Sequence, residues 1–487
     1  SGLIRVSARG EVINDLADSV EVNESGLRYV VTISEKARFH DDTPVGADDV
    51  VFTVSKIIDP LIKSPRRGNW DGVSVEKIDT RTVAFNLKKA YAPFIYNLST
   101  GILPRHIWKN VSADEFSFSQ FNTLPIGSGP YRVARVERNE GGIPDYYRLT
   151  PFDDAAGGAP FIRDLIFRFY PSEKALTEAY RGGSIEAIGG LTPEKFAELE
   201  LKSANIVSSP LSRIFGVFFN QSQARIFLDK NVRLALSLAA PREEIIEEVF
   251  GGYAKAINGP LPAGLYEWTS ETNEADSSQE ERLARAALLL SEAGWKPNAE
   301  TGILEKTSGS GSISLSFSIS TGDAPELQKV AAKLEAGWQR LGADVKVLIF
   351  ETGELNQNVI RPRNFDTLLF GEMIGRDADL YPFWHSSQRN DPGLNIALYA
   401  NSKADRILEE VRSEKSRSQA EENHRALAAE IRDDVPAVFL YTPSYLYLLP
   451  EKVRAVELGF LSVTQDRFAG IRSWYTETDR VWKVFLD

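Results

Sequence analysis

Apolar positions along the chain change period several times, and each change marks an element. Residues 26–33 and 81–87 alternate apolar with polar side chains, the period of half-buried strands. Between them Val50, Val54, Ile57 and Ile58 fall on one face of a helix that starts near Gly46. Asp48 and Asp49 occupy its first turn, where the helix dipole favours negative charge. Residues 278–294 read as an alanine- and leucine-rich helix stopped by Gly294. Residues 312–320 alternate like a strand, behind a hairpin tip at 308–312. Leu327, Val330, Ala331, Leu334, Trp338 and Leu341 then form a helical stripe ended by Gly342, and 345–350 read as a strand. Strand, helix and strand with short joints make a βαβ unit and imply a parallel pair. The most apolar stretch, 435–450, is short and interrupted by Pro436 and Pro443. It predicts buried strands and no membrane span.

A chain of 487 residues exceeds one hydrophobic core, so two or three domains of an α/β protein are expected. Its 56 basic and 68 acidic residues leave a net charge of -12 without a basic cluster, which argues against a nucleic-acid partner. The absence of cysteine removes disulfides, thiolate metal sites and a cysteine nucleophile from this sequence. His40, His106, His385 and His424 lack the spacing of a metal pair. Gly127-Ser128-Gly129 lacks the Lys-Ser/Thr of a phosphate loop, and Pro130 prevents a helix from presenting its amides there. No cofactor or metal is expected, and the start of the sequence carries no signal-peptide pattern.

Four stretches in order carry a resemblance. Residues 37–54 hold Phe39-His40-Asp41-Asp42-Thr43-Pro44 ahead of an acidic pair and an apolar helix. Residues 102–108 and 124–133 include Gly127-Ser128-Gly129-Pro130-Tyr131. Residues 229–239 are followed by Asn258-Gly259-Pro260-Leu261-Pro262 and Ala293-Gly294-Trp295. Residues 365–388 run through Asp377-Ala378-Asp379-Leu380-Tyr381 to Phe383-Trp384-His385-Ser386-Ser387, trailed by 397–411. Together they resemble the family 5 extracellular solute-binding proteins of bacterial ABC importers, the oligopeptide, dipeptide and nickel-binding type. Asp42 stands where that family usually has glycine; aspartate tolerates the left-handed turn such a position needs. Gly46 replaces a capping Thr. The family's Asp-Pro-Asp-Pro-Tyr pattern keeps both carboxylates and the tyrosine here but loses both prolines, which predicts a less rigid loop.

The resemblance implies a periplasmic-binding-protein-like bilobed fold of the cluster C type, with an extra domain in the first lobe. Residues 1–10, 125–215 and 446–487 would form the first lobe, 11–124 the extra domain and 216–445 the second lobe. It also implies a strand and helix ahead of residue 1, absent from this sequence, together with a signal peptide and any lipid-carrying cysteine. The implied function is extracytoplasmic capture of a solute, foremost a peptide, for a membrane permease, with no catalysis and a monomeric state. Gly127, Gly129 and Pro130 match a hinge. Leu369 to Ile374, with Phe370, Gly371, Glu372 and Met373 as the binding positions, match a strand that pairs with the ligand backbone, and Asp377, or else Asp379, matches the partner of the ligand's amine. Tyr381, Trp384 and Phe370 would line side-chain pockets. A nickel chelate, a sugar, an opine or another non-peptide solute is the alternative ligand, and sensing without transport the alternative role. The rival from another class is a glycosidase built on paired acids among 26 Phe, 16 Tyr and 8 Trp. Plainer readings stand beside these: Asp377 and Asp379 as turn caps, Trp384 as core, Asp48 and Asp49 as helix-start residues.

Overall fold

The computed structural model describes residues 1–199, 204–270, 277–309, 311–414 and 416–476. Residues 477–487, assigned from sequence to the first lobe, lie outside the described residues. Strands β1 (Ala17–Val22), β2 (Arg28–Ile33), β3 (Val73–Lys77) and β4 (Thr82–Leu87) form an antiparallel sheet of order β1-β2-β4-β3. The alternation seen in sequence is realised in β2, where Tyr29, Val31 and Ile33 point into the core. Helix α1 (Ala47–Ile58) covers the sheet with Val50, Val54 and Ile57, whereas Ile58 is 41% exposed. The Asp49 carboxylate accepts from the Gly46 amide at 2.9 Å and the Arg105 amide at 2.8 Å, and Asp48 pairs with Lys77. Both acids thus serve the helix start. Asp42 has φ 66°, the left-handed turn its residue type allows. Leu3 and Ile4 bury in this same core, although the sequence reading set 1–10 with the first lobe.

A second antiparallel sheet follows from β5 (Tyr131–Arg138), β6 (Pro144–Pro151) and β7 (Leu165–Arg168). Gly127, Gly129 and Pro130 lead into it. His40 grips this approach: its amide donates to the Gly127 carbonyl at 2.8 Å, and its Nδ1 accepts from the Gly127 amide at 3.2 Å. Its Nε2 lies 3.1 Å from the Gly129 carbonyl oxygen. Neither glycine has positive φ. A Cβ on Gly127 would stand 3.4 Å from His40 Cε1, an ordinary contact, so neither strain nor crowding explains glycine here.

The largest sheet has eight strands: β8 (Ile188–Gly189), β9 (Ala204–Pro210), β10 (Arg213–Phe219), β11 (Ala254–Ala256), β12 (Ser316–Gly322), β13 (Asp344–Phe350), β14 (Thr367–Met373) and β15 (Ala437–Pro450). Its order is β8-β15-β10-β14-β12-β13, with β9 and β11 also on β15. Helix α2 (Gln279–Glu292) starts in a capping box of Ser278 with Glu281 and ends ahead of Gly294, at φ 91°. The predicted βαβ unit is β12, helix α3 (Pro325–Arg340) and β13, with β12 and β13 parallel. Val330, Ala331, Leu334 and Trp338 bury, and Gly342 leaves the helix with φ 94°. The tip expected at 308–312 is a hairpin with Ser308 opposite Gly311; residue 310 lies outside the described residues.

Residues 437–450 form one continuous strand, where the prolines predicted separate ones. Ala437–Tyr441 of β15 pairs with β10, and Ser444–Pro450 pairs with β9. Pro443 falls at the change of partner, outside the β10 and β9 ladders though opposite Ala254 of β11, and its carbonyl accepts from the Leu211 amide at 2.9 Å. Cores follow the same division. Val438 and Leu440 bury on one face and Ala437 and Phe439 on the other, each within an extensive cluster. Tyr445, Tyr447 and Leu449 belong to a third cluster, Leu446 and Leu448 to a fourth. The fold is therefore bilobed α/β with additional sheets, its lobes joined through β15 and the β9–β10 connection.

Candidate functional site

β14 ends at the lobe boundary and runs into the loop 375–380, whose backbone is set by small residues. A Cβ on Gly375 would collide with the Asp377 carboxylate folded over it. Ala378 has φ 51°, and its amide donates to the Gly375 carbonyl at 3.0 Å. Two helices, α4 (Ser402–Ser413) and α5 (Arg417–Asp434), hold this loop from behind. His424 of α5 lies with Nε2 3.0 Å from the Ala378 carbonyl oxygen and Nδ1 2.9 Å from the Tyr266 hydroxyl. Burial lowers its pKa, so the neutral ring donates from Nε2 to Ala378 and accepts at Nδ1 from Tyr266.

The two loop aspartates differ in their surroundings. Asp379 is already ion-paired: Arg412 of α4 donates from Nε to Oδ1 at 3.0 Å and from Nη2 to Oδ2 at 2.7 Å. The Tyr91 hydroxyl donates to Oδ2 at 3.2 Å and the Tyr381 amide to Oδ1 at 3.1 Å. The Arg412 guanidinium also stacks 3.8 Å from the centre of the Tyr381 ring. Asp377 has no ion-pair partner among the described residues. The Asp379 amide donates to its Oδ1 at 3.5 Å. Burial, helped by the Asp379 charge, pushes its carboxyl above the ordinary range.

Asp377 stands in the wall between two cavities. One, of about 670 Å³, is bounded by Arg9, Gly10, Tyr96, Ser209, Tyr266, Arg376, Arg417 and His424 among others. The other, of about 1030 Å³, is bounded by Asp71, Lys88, Lys89, Tyr91, Asp379, Tyr381, Glu409 and Arg412 among others. Both lie between the second lobe and the parts of the chain facing it. Arg376 crosses the smaller one: its Nη1 lies 3.5 and 3.4 Å from the carbonyl oxygens of Val6 and Ser7, and its Nη2 3.3 Å from Asp466.

Of the residues singled out from sequence, Asp377 borders both cavities, and Asp379 and Tyr381 border the larger. Phe370, Gly371, Glu372, Met373 and Trp384 border neither. Trp384 is fully enclosed beside Phe218, Tyr399 and Phe439, a core residue. Gly371 makes room for the Phe215 ring, which stacks on Tyr441, and Phe370 packs against the second-lobe core. Met373 is 53% exposed. Glu372 is buried with neither carboxyl oxygen hydrogen-bonded, and burial raises its pKa well above the ordinary value. On the side away from β10, β14 pairs with β12 only at Thr367 and Leu368. The backbone of Phe370–Met373 thus has an edge without a strand among the described residues.

Arg412, Tyr91, Arg376 and Arg417 were not singled out from sequence, and no local pattern ties Tyr91 to a carboxylate 288 positions away. His424 did leave a signal, because it shares the buried face of α5 with Leu427, Ala428 and Ile431. No group of three or more His, Asp or Glu among the described residues is placed to hold a metal ion.

Residues 11–391 match the family described as bacterial extracellular solute-binding proteins, family 5 Middle. The oligopeptide-binding protein AppA of Bacillus subtilis is 29% identical over 464 residues, covering 93% of this chain and 82% of that one. Its structure in complex with a nonapeptide superposes with a TM-score of 0.70 at 27% identity, over 98% of this chain and 93% of that one. At the level of fold alone, NikZ of Campylobacter jejuni in complex with Ni(L-His) gives a TM-score of 0.71 at 23% identity, over 98% and 93% of the two chains. The chain belongs to family 5 of the bacterial extracellular solute-binding proteins, the non-catalytic extracytoplasmic components that bind solutes for the membrane permeases of ABC importers.

Proposed function

We propose that the solute is a peptide, enclosed between the two lobes with its amino-terminal ammonium on Asp377. The observation that carries this reading is a carboxylate withdrawn from water, without an ion pair among the described residues, in the wall shared by both cavities. An ammonium there forms a charge-assisted hydrogen bond strengthened by the poorly hydrated surroundings. Asp379 has no such vacancy, since Arg412 and Tyr91 occupy it. The open edge at Phe370–Met373 offers main-chain groups to an extended ligand, a mode that gives affinity with little side-chain selectivity. The nonapeptide held by the Bacillus subtilis relative supports the same class of ligand. In this reading 1–10, 125–215 and 446–487 act as the first lobe, 11–124 as the extra domain and 216–445 as the second lobe, closing about the β9–β10 connection and β15, with Gly127, Gly129 and Pro130 at the exit from the extra domain.

Native mass spectrometry of the purified protein, followed by identification of what denaturation releases, tests the ligand class. Short peptides are expected; a released metal chelate, sugar or opine would replace the reading. Titration calorimetry then tests the anchor: Asp377→Ala is expected to lower affinity for a released peptide about tenfold or more. Unchanged affinity would remove Asp377 from the role.

A further inference from the structure

The smaller cavity contains a second charge without a partner. Arg417 opens α5 and lies exposed in the cavity wall, its Nη2 3.9 Å from the point where a Cβ on Gly10 would stand across the gap. No hydrogen bond or ion pair occupies its guanidinium among the described residues. The cavity's other arginines are engaged, whereas the Glu414 carboxylate has only a backbone amide among the described residues. Arg9 meets Glu457 at 3.5 Å, Glu414 accepts from the Ser416 amide at 2.7 Å, and Arg376 is held by Asp466 and two carbonyls. Arg417 is therefore the cation without a partner in this space among the described residues, and it shares the cavity with the Asp377 carboxylate.

We propose that Arg417 is the subsite for a carboxylate of the ligand, so that the smaller cavity takes a zwitterion stretched between Asp377 and Arg417. A guanidinium receives a carboxylate through two parallel N–H donors, a geometry an ammonium cannot offer. This inference rests on the peptide reading above, and it adds that the far end of the peptide is a free carboxylate. A ligand Asp or Glu side chain is the other source of the same group.

The test uses the intact protein and a synthetic pool of random peptides two to nine residues long, lacking Asp and Glu. The pool is offered with free ends, with N-acetylated ends and with C-amidated ends, and the bound fraction is weighed by mass spectrometry. Parent protein is expected to lose about tenfold in recovery on either modification. Arg417→Gln should recover free and amidated peptides equally while keeping its discrimination against acetylated ones. Arg417→Lys, which retains the charge, should keep part of both discriminations and guards against a folding defect. Amidated peptides rescued only when Asp or Glu is restored would identify a side-chain carboxylate as the group that Arg417 takes. If Arg417→Gln discriminates against amidation as strongly as the parent, the subsite is elsewhere and peptide binding still stands. If the parent recovers no peptide in any form, the peptide reading fails and this inference with it.

Discussion

The Nε2 atom of His424 lies 3.0 Å from the carbonyl oxygen of Ala378, a residue whose backbone is left-handed at φ 51°. That bond ties helix α5 to the loop that presents Asp377. The Asp-Pro-Asp-Pro-Tyr pattern that this loop resembles has proline at this position, and proline fixes φ at about -65°. The backbone found here is one that proline cannot take, so loss of the proline accompanies a loop held by a histidine.

Ala378→Pro is accordingly expected to abolish ligand binding, while Ala378→Gly should retain it and gain up to about 1 kcal/mol in urea denaturation. His424→Ala, which also strands the Tyr266 hydroxyl, should weaken binding roughly tenfold by calorimetry while the protein stays folded. Full affinity in both Ala378→Pro and His424→Ala would mean that the loop geometry is irrelevant to capture.

Arg376 reaches across the smaller cavity to Asp466 and to the carbonyls of Val6 and Ser7. Such contacts exist only while the two walls are close, so they bias the lobes toward closure. Asp466→Asn keeps an oxygen for the Ser462 and Val463 amides, which sit at 2.9 and 3.0 Å, yet removes the charge facing Arg376. Small-angle scattering of the ligand-free variant should give a larger radius of gyration than the parent, and ligand affinity should fall by a few-fold. An identical scattering curve and affinity would show that this pair does not contribute to closure.

Glu372 is buried with both oxygens unpartnered, and burial raises its pKa well above 4.5. Between the unfolded and folded pKa values the native state keeps a proton that the unfolded state has lost. Stability contributed by this group is therefore full below about pH 4 and is lost as pH rises. Glu372→Gln carries no titratable proton, so it should melt a few degrees above the parent at pH 7 and converge with it near pH 4 in thermal scans. A gap that is constant with pH would place the effect in packing, not in ionisation.

Much of the architecture could be read along the chain because it follows from short-range periodicity. The stripe Val330, Ala331, Leu334, Trp338 and the glycine stops at 294 and 342 are decided within one or two turns of backbone. Motif order carried the family, because Asp377, Asp379 and Tyr381 keep their spacing even where the prolines between them are lost. Sequence also placed Asp48 and Asp49 in the first turn of a helix, where Asp49 accepts from the Gly46 amide three residues back.

Other assignments depend on groups distant in sequence, and only tertiary packing decided them. Asp377 and Asp379 are two positions apart and chemically identical. One meets Arg412 and Tyr91 while the other borders both cavities without an ion pair among the described residues. Trp384 went to the core because Phe218, Tyr399 and Phe439 converge on it from three separate segments. Pro443 stays clear of the β9 and β10 ladders because β15 changes partners there, although it stands opposite Ala254 of β11, and that change requires both β9 and β10 to be in place. Local propensity sees neighbours within a few residues, whereas burial and charge compensation are properties of contacts closed by the whole fold. The sequence by itself therefore determined the elements, the family and the pair of candidate acids. The tertiary structure alone decided which acid is left unpaired, and that Arg417 shares its cavity.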